Sequence, residues 1–316
     1  VQPKNITNRG IKEPGKDSAD SMDSLVKGYN FLKQSWQMIM VDHDLIKPSI
    51  YALIAGLAVA LVGIIPMGVT ALLLGDTGLG GAILLVIGTL LVFMQFSVGY
   101  VFSAMTVYLI YGYLAEGDGR LDLAWEIVRR DFLDILSLAV ASTLVNLVKS
   151  LLRGRGRNSG RNFLSGLLNT IWTEATYLVL PAMVIEDIGL KDGLRRASQI
   201  VQDNLLLVGI STVGVRAVSG LISFLLGTAG IALGLGIGFG LVSLSQSAPV
   251  GIFSGVALGI LVAGSFIILA VVITSYTATA YHTCLYLWAR DVERVQQSGQ
   301  ETWSVSAPAP LAASLR

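Results

Sequence analysis

Two charges stand where charges are rare. Glu174 lies inside the apolar run WTEATYLVLP, residues 172–181, and Arg216 lies in GVRAVSG, in a second apolar run about forty residues later. Glu174 falls midway along an apolar segment at 163–185, and Arg216 midway along one at 204–227, so both charges belong near the same depth of a bilayer. An unpaired arginine at that depth costs roughly 2.5–3.5 kcal/mol on insertion scales. Pairing across a helix interface is the least costly relief. Thr173, Thr176, Tyr177 and Ser211 offer hydroxyls to the remaining hydrogen-bonding groups. Such a pair points to a transport pathway or a proton relay, or else to a pin that fixes helix register with little net stability.

Other chemistry is sparse. Only two histidines are present, His43 and His282, too few for a multi-histidine metal site. Both are expected near the inner interface, where imidazole could ligate haem iron or a chlorophyll-type magnesium, or anchor the chain among Tyr281, Tyr286 and Trp288 in an aromatic belt. Cys284 is the only cysteine, so no intrachain disulfide or thiolate cluster can form. No phosphate-binding loop is present, and LGLGIGFG lacks the strand and acidic context of a dinucleotide fingerprint. These residues imply no enzyme activity, no metal and no cofactor.

The composition decides what positions the charges. Of 316 residues 53% are hydrophobic and 14% charged, well below the roughly 25% charged of soluble chains, and the mean hydropathy is +0.68. A net charge of +1 gives no basis for nucleic-acid binding. The first 44 residues carry no signal-peptide pattern. Six runs approach the ~20 apolar residues of a spanning helix: 45–69, 80–115, 133–152, 163–185, 204–227 and 250–289. The glycine-rich stretch 227–246 is either a seventh span or a loose, re-entrant connection, because each glycine weakens a helix by up to about 1 kcal/mol. Residues 1–22 and 298–316 read as irregular tails around a membrane domain at 23–297.

Charge sets the orientation. With the N-terminus inside, Lys4, Arg9, Lys27, Arg120, Arg129, Arg130, Lys191, Arg195, Arg290 and Arg294 are cytoplasmic, whereas 70–79 and 228–249 have no Lys or Arg. That favours six crossings. The loop RGRGRNSGR dissents, placing Arg153, Arg155, Arg157 and Arg161 outside, where they could meet an anionic headgroup or partner. Apolar stripes at helical spacing precede the first, third and fifth runs: Leu25, Tyr29, Leu32, Trp36 and Ile39; Leu121, Trp125, Val128 and Phe132; Leu190, Leu194, Ala197 and Val201. Each stretch ends in an acid, Asp44, Asp131 or Asp203. The expected fold is an all-α polytopic bundle of three hairpins, each preceded by an interfacial amphipathic helix.

The segment WTEATYLVLPAMVIEDIGLKDGLRRASQIVQDN resembles the central signature of an uncharacterised family of bacterial and archaeal six-helix membrane proteins. There a Trp-led helix ends in a proline and a Val/Ile–Glu pair, followed by a glycine turn and an arginine-bearing amphipathic helix. FLKQSWQMIMVDHDLIKPSI and TATAYHTCLYLWAR resemble that family's start and close, so the likeness covers roughly 25–295. A more distant likeness is to the membrane domain of some glycerophosphodiester phosphodiesterases, whose catalytic barrel has no counterpart here. The resemblance implies six helices and no known activity; the expected location is a prokaryotic cytoplasmic membrane, with both termini inside by the charge asymmetry.

With few polar residues continuing a path from either charge, the sequence favours a non-catalytic scaffold or accessory subunit that contacts lipids and other membrane subunits. A small-solute permease or channel using Glu174 and Arg216, and a lipid-interacting membrane organiser, are the alternatives.

Overall fold

The computed structural model describes residues 16–75, 77–153, 159–203, 205–244, 249–299 and 305–315; some side chains within these ranges, including those of 16–25, 152–153, 159–164 and 203–214, are not described. Among the described residues there is no strand. In chain order come α1 (Lys16–Val41), a 3-10 turn (His43–Ile46), α2 (Lys47–Leu74), α3 (Gly78–Glu116), α4 (Leu121–Arg130), α5 (Phe132–Arg153), α6 (Ser159–Glu186), α7 (Leu190–Asp203), α8 (Leu205–Leu244), α9 (Pro249–Gln297) and α10 (Ala309–Leu315). Five stretches are long and apolar enough to cross a membrane: His43–Leu74, Gly78–Glu116, Phe132–Leu151, Val215–Leu244 and Ile252–Gln297. These suggest a membrane protein. The fourth expected span, 163–185, lies within α6 but is not among the five.

The stretch 227–246 is neither a separate span nor a loose connection. Its residues up to Leu244 continue α8, a single helix of 40 residues. Tertiary packing overrides the helix propensity of its glycines. A Cβ on Gly234 would lie 2.5 Å from the carbonyl oxygen of Gly259, and one on Gly259 would lie 2.7 Å from that of Gly234. Gly238 and Gly255 face each other the same way, at 3.1 and 2.8 Å. Two glycines four residues apart on each helix let the antiparallel backbones of α8 and α9 touch, and contact of this kind holds helices together in lipid. At 1.5 Å per residue α8 extends about 60 Å and α9 about 73 Å, roughly twice the ~30 Å hydrocarbon core.

Both expected tails also need correction. Helix α1 begins at Lys16, inside the stretch read as irregular, and α10 lies within the C-terminal one. Helix α10 packs on α1 and α9 and buries Leu311 completely. Pro308 and Pro310 stand at the start of α10, where their fixed φ is favourable.

The three amphipathic stretches are α1, α4 and α7, though the first stripe is rotated from its expected face. Helix α1 buries Gly28, Phe31, Ser35, Met38 and, of the expected stripe, Ile39, while Tyr29 and Trp36 are exposed. Helix α4 buries Ala124 and Val128 and leaves Trp125 outside beneath Arg129. Helix α7 buries Gly193, Ala197 and Ile200.

Side chains knit the helix ends on this side. Asp42 accepts from the backbone N–H groups of Asp44 and Gly119, joining the α1–α2 turn to the α3–α4 turn. Arg130 pairs with Asp131 at 2.7 Å and Asp187 at 3.1 Å. Asp187 adopts a left-handed φ of 53° just after α6, a backbone state that aspartate tolerates better than most residues. Arg196 on α7 binds Glu293 of α9 at 2.5 Å and Glu186 of α6 at 3.4 Å. These acids, Glu293 foremost, hold the guanidinium well above its ordinary pKa, so it stays charged. The main core lies where α1, α3, α6 and α9 meet, around Phe31, Leu109, Ile110, Leu178, Tyr281 and Leu285.

Candidate functional site

The Arg196 clamp puts the ends of α6 and α9 in register. Glu174 lies about 18 Å before Glu186 along α6, and His282 about 16 Å before Glu293 along α9. Arg216 lies about 16 Å into α8. The three side chains therefore reach one height. His282 stands about 22 Å before the end of α9 at Gln297, whereas the sequence reading put it near the end of its segment.

Glu174 contacts both neighbours. Its Oε1 pairs with the Arg216 guanidinium and its Oε2 lies 3.3 Å from Nε2 of His282. Helices α6 and α8 do not pack side by side, as a simple two-helix pairing would have it. Each packs on α9 and hardly on the other, so the ion pair bridges across α9. The side chain of Arg216 is 44% exposed and that of Glu174 25%, whereas His282 is 3% exposed. Thr173 and Thr176 spend their hydroxyl protons on their own helix, on the carbonyls of Asn169 and Thr173. Tyr177 stacks on the His282 ring at 4.4 Å and 11°. The side chain of Ser211 lies outside the described residues.

His282 carries a constraint that can be read from its partners. Its Nδ1 lies 2.7 Å from the carbonyl oxygen of Ala278, which can only accept, so Nδ1 donates. A neutral imidazole then has a bare Nε2, and that nitrogen faces Glu174 Oε2. Two acceptors cannot bond without a proton between them. The contact therefore requires one further proton, on Nε2 or on the carboxyl, beyond the neutral imidazole and carboxylate. With both ring nitrogens engaged, His282 offers no free lone pair to a metal or pigment. His43 is exposed in the 3-10 turn, and among the described residues no three His, Cys, Asp or Glu side chains form a metal cluster. Arg155 and Arg157 lie outside the described residues, as do the side chains of Arg153 and Arg161.

Beside the charged group lies a cavity of about 260 Å³ between α3, α5, α6 and α9. Its walls include Gln95, Ser103, Lys149, Asn169, Tyr177 and Thr279. Glu174, Arg216 and His282 do not line this cavity, whose polar residues sit on four helices and share no sequence period. Ser142 organises one flank, 2.7 Å from the Tyr100 hydroxyl and accepting from the Trp172 indole at 3.0 Å. Pro181 lines the cavity from inside α6. Having no N–H, it releases the carbonyl of Tyr177 from its helical bond. Tyr177 thus belongs to the cavity wall and to the His282 stack.

The model of the Family of unknown function (DUF6159) matches residues 86–295, which include Glu174, Arg216, His282 and every residue lining the cavity. No curated protein matches the chain.

Proposed function

We propose, for a chain that belongs to the family of unknown function DUF6159, the role of a small-solute permease whose coupling proton resides on Glu174 and His282. Arg216 supplies the fixed counter-charge. The observation that carries the reading is Tyr177, stacked on the proton-bearing imidazole while lining the polar cavity. A solute in that cavity would touch the ring that packs His282, so its arrival and the proton's would be coupled through one side chain. Charges inside membrane segments cluster at such pathways. Substrate sites near mid-membrane beside an interrupted helix recur in transporters, and Pro181 supplies the interruption.

In this reading α2 with α3, α5 with α6, and α8 with α9 cross the bilayer as three hairpins. Helices α1, α4 and α7 lie at the inner surface of a prokaryotic cytoplasmic membrane, with both termini inside. The test is proton movement in vesicles holding purified protein and an internal pH-sensitive dye, challenged with a panel of small carboxylates, amino acids and polyols. At least one solute should move protons with wild type and not with Glu174→Gln. Equal proton movement by Glu174→Gln, or none with any solute, would overturn the reading.

The α8–α9 hairpin favours a second reading, a non-catalytic accessory subunit of a larger membrane assembly. Leu233, Leu235, Phe239, Phe253, Ile260 and Leu261 are exposed along it, more apolar length than the bilayer core covers. Purification in mild detergent tests this: a stoichiometric membrane partner held by these residues supports it, and a homogeneous single chain does not.

A further inference from the structure

We infer that the cavity between α3, α5, α6 and α9 is a binding site for a hydroxylated ring, a monosaccharide or cyclic polyol. The inference rests on the permease reading and names the substrate class of that site. Four aromatic residues stand in its walls, Phe96 and Tyr100 on α3 and Trp172 and Tyr177 on α6. Phe96 and Tyr100 lie nearly parallel, at 9° with ring centroids 5.9 Å apart. The Trp172 indole N–H and the Tyr100 hydroxyl are both tied to Ser142 on α5, which fixes the planes of two rings on separate helices. Rigid aromatic side chains give a small ring a large contact area at little entropic cost.

Hydrogen-bonding groups stand among these rings. Gln95 donates its amide to the Gly56 carbonyl at 2.8 Å, which leaves its Oε1 to accept. Asn169 Oδ1 accepts from Lys149 at 2.5 Å, which leaves its amide N–H groups to donate. Among the described residues no hydrogen bond engages the hydroxyl of Ser103 or Tyr177, and each can both donate and accept. This mixture of an acceptor, a donor and two groups that are both suits ligand hydroxyls, which are also both. A ring without hydroxyls would leave the set unpartnered, and a site built to hydrogen-bond a hydroxyl rejects such an analogue strongly. No carboxylate lines the cavity to hold a cation. At about 260 Å³ the space is smaller than the roughly 300–1,000 Å³ of sites for drug-sized ligands, so it suits a single ring.

Binding of radiolabelled glucose, galactose, xylose and myo-inositol to the purified full chain, in a detergent without a sugar headgroup, tests this. Wild type should bind at least one saturably, with competition by the same unlabelled compound but not by cyclohexanol or cyclohexanecarboxylate. Trp172→Ala should weaken binding about tenfold or more, through the lost ring contact. If Trp172→Ala does not fold, Ser103→Ala decides, since it removes one hydroxyl and almost no volume; it should weaken binding about fivefold, the scale of one hydrogen bond. Undiminished binding in either variant when folded, equal competition by cyclohexanol or cyclohexanecarboxylate, or no saturable binding of any of the four by wild type overturns the site. Saturable binding without vesicle uptake would sink the permease reading and leave the site standing. Proton-coupled uptake of a solute that is indifferent to all four compounds and to both variants would do the reverse.

Discussion

Glu174 is a hub, and its two arms should contribute unequally. Removing it as Glu174→Gln takes away a charge-assisted contact to His282, buried and worth about 1.5–3 kcal/mol. It also takes away the contact to Arg216, which is 44% exposed and is therefore discounted to about 1 kcal/mol or less. The single substitution should lose roughly 2–4 kcal/mol. Arg216→Gln alone should lose about 1 kcal/mol, because Glu174 keeps His282. Double-mutant cycles in detergent, read by denaturant or thermal unfolding, separate the arms. Glu174 with His282 should show the larger coupling and Glu174 with Arg216 the smaller. Arg216 with His282 should be additive within about 0.5 kcal/mol when Glu174 is absent. Additivity between Glu174 and His282, or a dominant Arg216 coupling, refutes the hub.

Three further outcomes follow from the packing and the charge pattern. Gly259→Val places a branched side chain against the Gly234 carbonyl and should lose about 1–3 kcal/mol. Gly236→Ala, whose new methyl meets nothing within 4 Å, should be neutral or stabilising by up to about 1 kcal/mol; equal losses in unfolding assays would refute the backbone contact. Cys284 is completely buried and should resist maleimide until the protein unfolds, so single cysteines can report topology. Cysteines replacing Ser18 and Ser298 should label from one face and one replacing Ser243 from the other, and any other pattern contradicts the three-hairpin crossing. Changing Arg153, Arg155, Arg157 and Arg161 to Gln should reduce retention of anionic lipid, with the difference shrinking at high salt; unchanged retention leaves the loop merely solvated.

The sequence was most legible where one residue is improbable or one period is strong. Glu174 and Arg216 stood out because carboxylates and guanidinium groups are rare in apolar runs. Helices α1, α4 and α7 were readable because their polar and apolar residues separate at the helical period. The stripe of α1 was misassigned for a physical reason: Tyr29 and Trp36 are apolar but exposed, and hydropathy cannot tell a buried aromatic from one on the outer surface. The place of His282 well inside α9 was hidden by the length of that helix, which no local signal limits before Gln297. The cavity was hidden because Gln95, Lys149, Asn169 and Thr279 come together only through the antiparallel register of separate helices. The course of 227–246 was lost because glycine counts against a helix in isolation and for one where two backbones must touch.

The central claim is that Glu174 and His282 share one exchangeable proton, and counting protons on His282 tests it most directly. In protein with isotope-labelled histidine nitrogens, magnetic resonance reports Nδ1 and Nε2 separately, while infrared difference spectra report the Glu174 carboxyl. The account predicts a protonated Nδ1 throughout the folded range. It also predicts a second proton, on Nε2 or the carboxyl, that Glu174→Gln disturbs. A bare Nε2 facing an ionised Glu174, or His282 nitrogen signals that Glu174→Gln leaves unchanged, would contradict it.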